Sequence, residues 1–406
     1  MLCRRLLPVR RALSLLAPPP SPCAPQPGRR PARHQSTGST ARHDVQVQCR
    51  SSGAVHLSIL QSHQHPSPIL LFLPPGPLTE PDPEHHDRLH HHLHHAANAT
   101  VVCVHYRLHQ YPTPVHDVLT AYDWLLNNLA SLPQHRSPHR PHLARIGVCG
   151  ELIGGSLATM LALTECQMGA HRIAAAAVNN PVVDWIFPSD LQQLQLEDAE
   201  SENASDAYAV STRLADDSAC KNKLKKAPAA PVSSWDTYAA SPALPSSALA
   251  HARDSLFPNP DAYFDRFASP IHFFRTPVTE YTVPIKTEDD RASEVPSEFD
   301  VNENDEPVLE KRRRSPRLYP PTGMGLKLPV LRVSVGEECV LRDQGEELVK
   351  LVQRSVVRDT RSEDEADRRA RLTLRPGAGL WSGPFRESDW REEIGAVGAW
   401  FGRVLR

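Results

Sequence analysis

No histidine follows His272 in this chain of 406 residues. Any chemistry that needs an imidazole from the last third of the chain is therefore excluded. Net charge is also lacking: 45 Lys and Arg against 47 Asp and Glu leave −2. That balance removes a global electrostatic case for nucleic acid as a partner. No stretch approaches 18 apolar residues, so no transmembrane segment is expected. The eight cysteines show neither Cys-x-x-Cys nor metal-ligand spacing. A thiolate metal centre is thus unsupported, and no metal or cofactor is expected. Several cysteines sit in apolar strands, where cysteine acts as a small hydrophobe. Reduced thiols of this kind read as an intracellular protein.

Acids are missing from residues 1–43, which hold eight arginines but no Asp or Glu. In MLCRRLLPVRRALSLLA the arginines interleave with leucines at roughly helical spacing, the composition of a mitochondrial transit peptide. Arg33-His34-Gln35-Ser36-Thr37 resembles a processing site. Residues 1–43 are expected to be disordered and to direct the chain to mitochondria; a cytoplasmic protein with a proline-rich tail is the alternative.

What is present is a strand–turn–helix at residues 145–158, RIGVCGELIGGSLA. An apolar strand runs into the turn Gly150-Glu151-Leu152-Ile153-Gly154-Gly155 and then into a small-residue helix. This is the layout of a nucleophile elbow, whose apex carries a serine. Here the apex is Leu152, which has neither a proton to lose nor a lone pair with which to attack.

The surroundings extend the pattern. ILLFL (69–73) leads into Pro74-Pro75-Gly76-Pro77, and VVCVH (101–105) into Tyr106-Arg107-Leu108 and Tyr111-Pro112-Thr113-Pro114. Asp117, Ala121-Tyr122 and Trp124 follow, and later Gly336, Leu341, Asp343 and Gly345. Over roughly 45–190 and 230–406 the chain resembles the hormone-sensitive-lipase-like branch of the α/β-hydrolases. The resemblance implies an α/β fold with an eight-stranded, mostly parallel sheet, helices on both faces and a cap. It also places a catalytic serine at Leu152, a catalytic acid at Cys339 and a catalytic histidine at Leu380. None of the three residues present can do that work. The oxyanion loop is affected too, since Pro75 and Pro77 have no N–H, leaving Gly76 and Ile153 as donors.

Strands are expected at 45–50, 54–60, 69–73, 101–105, 145–149, 172–178, 329–335 and 370–375. Helices are expected at 84–97, 115–130, 155–167, 343–355 and 390–404. Short apolar strands alternating with helices argue for a doubly wound sheet. Residues 44–190 and 326–406 form the two parts of the hydrolase-like domain, and 191–325 a cap or insert. Within that insert, 190–232 and 279–318 are polar, the latter with eleven acids against two bases between Glu280 and Glu310; such segments do not bury enough apolar surface to fold alone. Residues 256–274, LFPNPDAYFDRFASPIHFF, are aromatic-rich and are expected to pack as cap structure. The histidine run EHHDRLHHHLHH (84–95) places His86 with His90 and His91 with His95 at metal-binding spacing, although a solvated polar face is favoured. Basic runs at 221–226 and 311–314 are read as linker charge. Arg107, Asp117 and Glu151 are read as structural, and Ser156 as facing away from the apex.

These readings favour a catalytically inactive hydrolase-like protein with an apolar, dry former active site into which Leu380 and Trp381 enter. Its partner would be an apolar small molecule, or a protein held through the inserts. The rival reading is a carboxylic-ester hydrolase with a non-standard nucleophile.

Overall fold

The structure is a computed structural model that describes residues 42–49, 53–63, 66–79, 82–137, 140–188, 233–277, 282–284, 309–311, 316–382 and 387–405. The readings on 1–41, most of the acidic stretch 279–318 and the polar stretch to 232 lie outside those residues. Eight strands form the central sheet: β1 (Arg42–Gln48), β2 (Ala54–Leu60), β3 (Ile69–Leu73), β4 (Thr100–His105), β5 (Ile146–Glu151), β6 (Ile173–Asn179), β7 (Val330–Gly336) and β8 (Ala370–Arg375). Their order is β1-β2-β4-β3-β5-β6-β7-β8. β2 runs antiparallel to both neighbours, and every pairing from β4 to β8 is parallel. All five residues of β3 and all six of β5 are buried, as two-sided coverage of a parallel sheet requires.

Helices α1 (Pro83–Ala97) and α7 (Glu387–Val404) cover one face, where Leu89, Leu93, Ile394 and Phe401 meet Phe72 and Cys149. Helices α2 (Thr113–Leu125), α3 (Leu152–Thr164) and α5 (Arg342–Thr360) cover the other. Helix α4 (Ser246–Leu256) belongs to the cap, and α6 (Glu363–Arg369) leads into β8. Neither stands among the sequence expectations.

Three expectations need correction. β1 begins at Arg42, inside the segment assigned to the disordered tail. Arg42 donates to Asp87 Oδ1 at 2.8 Å and to Ser58 Oγ at 2.9 Å, which ties the strand start to α1 and β2. α3 starts at the elbow apex rather than at Gly155. The histidine run is only partly a solvated face: His95 is exposed and His85, His86, His91 and His92 are half-buried, but His90 and His94 lie on the buried side of α1, bonded to Val101 O and Ala99 O. Burial lowers the His90 pKa to about 3, leaving it a neutral core residue. Among the described residues no group of three or more His, Cys, Asp or Glu is arranged to hold a metal. Among them, too, no helix is long and apolar enough to cross a membrane.

Candidate functional site

The elbow is set by backbone proximity. A Cβ on Gly150 would collide with Gly154 O, and one on Gly154 with Leu73 O and Pro74 O. Only glycine lets α3 leave β5 this sharply and pass so close to the end of β3. Between the two sits Leu152 at φ 52°, a left-handed conformation that costs a residue with a β-carbon about 1–3 kcal/mol. The strained turn of a nucleophile elbow is therefore retained around a residue with nothing to expose. The Leu152 side chain is fully buried.

The other positions singled out in the sequence converge on this turn. Gly76, at φ 83°, lies against the Ile153 side chain, and a Cβ there would stand 3.2 Å from Ile153 Cδ1. Pro75 is buried and Pro77 exposed beside it. Cys339 is buried in the loop after β7, where its sulfur accepts from Leu341 N at 3.5 Å and burial pushes its thiol up to about 11. That group is neither a carboxylate nor a thiolate near neutrality. Leu380 is buried in the loop after β8. Trp381 departs from expectation: it packs with Phe72 and Trp390 in the core beneath α1 and α7. Successive side chains of an extended segment point to opposite sides, so placing Leu380 above the sheet sends Trp381 below it.

A polar lattice not anticipated from the sequence holds these loops together. Glu151, beside the apex, accepts from Asn179 Nδ2 at 2.8 Å, from Ser382 N at 3.1 Å, and from Trp381 N and Ser382 Oγ. Asn180, at φ 42°, donates to Ala378 O at 3.0 Å and accepts from Gly336 N at 3.0 Å. The elbow, the ends of β6 and β7 and the loop after β8 are thus locked together. The available signal was Asn179-Asn180-Pro181 at a strand end, since asparagine tolerates the left-handed region and bonds local backbone.

Burial pushes the Glu151 carboxyl up to about 7, while bonds from Ser382, Trp381 and Asn179 pull the other way. Its folded pKa lies above the ordinary 4.5, so ionisation weakens the fold. The penalty is absent below about pH 4.5 and complete above about pH 7, and stability declines across that window as pH rises. Glu151→Gln should abolish this slope and cost about 1–3 kcal/mol, because an amide N–H then faces a backbone donor of the last loop. Denaturant midpoints of both proteins at pH 5 and pH 8 check it; an unchanged slope in the variant removes Glu151 as its source.

Among the described residues, neither His272 nor Ser156 forms a catalytic pair at the elbow; a Ser–His contact does occur between β2 and β4, where Ser58 Oγ lies 2.9 Å from His105 Nε2 and donates to Asp44 Oδ1 at 2.7 Å. His272 is fully buried, its Nδ1 donates to Phe264 O at 3.2 Å, and its Nε2 lies 3.6 Å from Asp184 Oδ1. Ser156 Oγ donates to Ala268 O at 3.3 Å. Asp117, fully buried, accepts from Arg107 N and Nε at 2.9 Å each and from Nη2 at 2.6 Å. That arrangement shapes the loop after β4.

The cap closes over the elbow through aromatic contacts. Phe257 meets Tyr111 and Trp185 at 5.4 Å, and Phe187 stacks on Trp235 at 4.3 Å. Beneath them Ile153, Ser156 and Trp185 border a void of about 30 Å³, room for roughly one water. On the far side of the oxyanion loop lies a cavity of about 470 Å³, bordered by Leu78, Thr79, His85, Pro242, Leu380 and Ser382. Thr79 is buried, and its hydroxyl has no partner among the described residues. The space over Ile153 is small and mostly apolar, whereas beside Leu380 half the bordering groups are polar, so the expectation of an apolar centre fails there.

The alpha/beta hydrolase fold family model matches residues 76–269. No curated protein matches the chain by sequence. Among solved structures, an esterase from the hyperthermophilic archaeon Pyrobaculum calidifontis is similar at TM-score 0.54 and 16% identity, over 90% of this chain and 84% of that one. A thermophilic carboxylesterase cloned from a metagenomic library is similar at TM-score 0.55 and 17% identity, over 90% of each chain. Carboxyl esterase 2 from the fungus Tuber melanosporum is similar at 0.54 and 15%, over 92% and 90%. The strand order, the elbow and these matches together show an α/β-hydrolase fold.

Proposed function

We propose that this chain is a non-hydrolytic protein of α/β-hydrolase fold that uses the cavity beside Leu380 to bind a small molecule. The observation that carries the reading is Leu152: it occupies the left-handed apex of the elbow, fully buried, with no nucleophilic atom. Cys339 and Leu380 at the acid and histidine positions support it, as does the absence of any histidine beyond His272. Loss of one triad member alone costs roughly 10⁴-fold or more in rate. The cavity volume of about 470 Å³ falls in the range of ordinary ligand sites. Its wall is apolar at Leu78, Pro242 and Leu380 and polar at Thr79, Asp82, His85, His86 and Ser382, which suits a molecule with both apolar surface and several hydrogen-bonding groups.

The second reading is ester hydrolysis with a non-standard nucleophile, favoured by the esterases among the similar structures. Purified protein separates the two. We expect no labelling by a fluorophosphonate probe and no turnover of p-nitrophenyl acetate above a heat-inactivated control. Leu152→Ser should recover no activity, because no base is positioned to take its proton. Stoichiometric labelling abolished by a single substitution overturns the non-hydrolytic reading.

A further inference from the structure

Alternation along the last two strands gathers arginines on one face of the sheet. Arg332 of β7 is in register with Arg371 of β8, and Gly336 with Arg375. Side chains two residues apart share a face, so Arg332, Arg371, Thr373 and Arg375 project together. α7 covers this face, where Glu393 Oε1 lies 2.9 Å from Arg375 Nε. Arg403, in the last turn of α7, adds its charge to the group. α5 covers the opposite face, packing its Gly345 against Val333 and Val335.

The arginines are poorly compensated. Glu393 is the acid among the charged groups acting on Arg332, and Arg375 already pairs with it. Arg332 is half-buried, and its Nε is shut off from solvent with no hydrogen-bond partner among the described residues. Burial lowers the Arg332 pKa, as do Arg375, Arg371 and Arg403, against the opposing pull of Glu393. A guanidinium does not shed its proton in a protein, so titration does not relieve the repulsion. A bound anion does.

A groove of about 900 Å³ opens onto this face, bordered there by Arg332, Arg371, Thr373, Trp400 and Arg403. Arg371 and Arg403 are exposed, and Arg332 lies deeper. Glu346 and Asp367 border the groove from the α5 side, where both are engaged. Glu346 lies 3.0 Å from Arg342 and 3.5 Å from Lys350, and Asp367 accepts from Gln353 Nε2 at 3.0 Å. The groove shares no bordering residue with the cavity beside Leu380. The groups present select the ligand. Arg332, Arg371 and Arg403 offer three guanidinium forks with no carboxylate in ion-pair contact among the described residues. A carboxylate brings a single charge and two oxygens, whereas a phosphate monoester brings a charge of about −1.5 to −2 near neutral pH and three acceptor oxygens. Arginine binds such oxygens with paired N–H bonds. The half-buried Trp400 ring offers apolar surface beside them. We propose that this face of β7, β8 and α7 binds a phosphate monoester, its phosphate on Arg332, Arg371 and Arg403 and its carbon body against Trp400.

Calorimetric titration of the full chain with phenyl phosphate at fixed ionic strength tests the site. Arg371→Gln/Arg403→Gln changes two exposed positions, so the fold should persist with an unchanged thermal midpoint. Binding should weaken by about tenfold or more. Arg371→Lys/Arg403→Lys keeps the charge but loses the paired N–H geometry, and its affinity should fall between the two. Benzoate, with the same ring and a single charge, should bind more weakly than phenyl phosphate. Phosphatidylcholine vesicles containing phosphatidic acid present the same group from a membrane. Cosedimentation with them that the Gln variant loses, without binding of phenyl phosphate, assigns the monoester to a lipid headgroup. Binding of neither probe overturns the proposal. So does binding that the Gln variant retains in full, or equal affinity for benzoate.

Discussion

Gly154→Ala is expected to cost about 3 kcal/mol or more, enough to consume much of an ordinary domain's stability. Intrinsic propensity points the other way, since alanine in a helix gains about 1 kcal/mol over glycine. The clash decides the sign. The added methyl would fall inside contact distance of two backbone oxygens, Leu73 O and Pro74 O. A flexible side chain could move aside; these carbonyls belong to the end of β3 and its loop. Urea unfolding of the purified variant measures the cost. A variant within about 1 kcal/mol of the native protein would show that α3 does not pass β3 as closely as described.

Leu152→Ala should lower stability by about 2–5 kcal/mol, the range for emptying a leucine site in a core. The side chain is fully buried, and the neighbouring void of about 30 Å³ shows how little free space the cap leaves nearby. Leu152→Gly separates packing from strain. It leaves at least as large a hole, yet it removes the β-carbon from a position at φ 52°, which returns about 1 kcal/mol. Glycine is therefore expected to be less harmful than alanine here, the reverse of their order in a regular helix. If both substitutions are neutral, the Leu152 side chain does not fill the old site, and the elbow is an open cleft.

The strands were legible in the sequence because each is a short apolar run ended by Gly, Pro or Asn, and such runs admit few alternatives in a chain that alternates them with helices. The elbow was legible for a related reason: Gly150, Gly154 and Gly155 mark a close approach that no other residue type permits. Two histidines of α1, His90 and His94, were misread. Periodicity separates polar from apolar faces, and histidine counts as polar until the structure shows His90 accepting burial by bonding Val101 O. Trp381 was misplaced by a single residue of alternation.

The sequence alone supplied the expectation that Leu152, Cys339 and Leu380 stand where the resembling family carries its serine, acid and histidine, since that expectation rests on motif residues and needs no coordinates. It also determined that no later histidine exists to substitute. Only the tertiary structure decided what became of the space those residues once would have served. Glu151 reaches Trp381 and Ser382 across 230 residues, and the aromatic cap brings Phe257 onto Tyr111 and Trp185. Such contacts depend on where distant segments meet, which local pattern does not encode. For that reason the space over Ile153 is packed nearly shut, while beside Leu380 there is a cavity of mixed polarity.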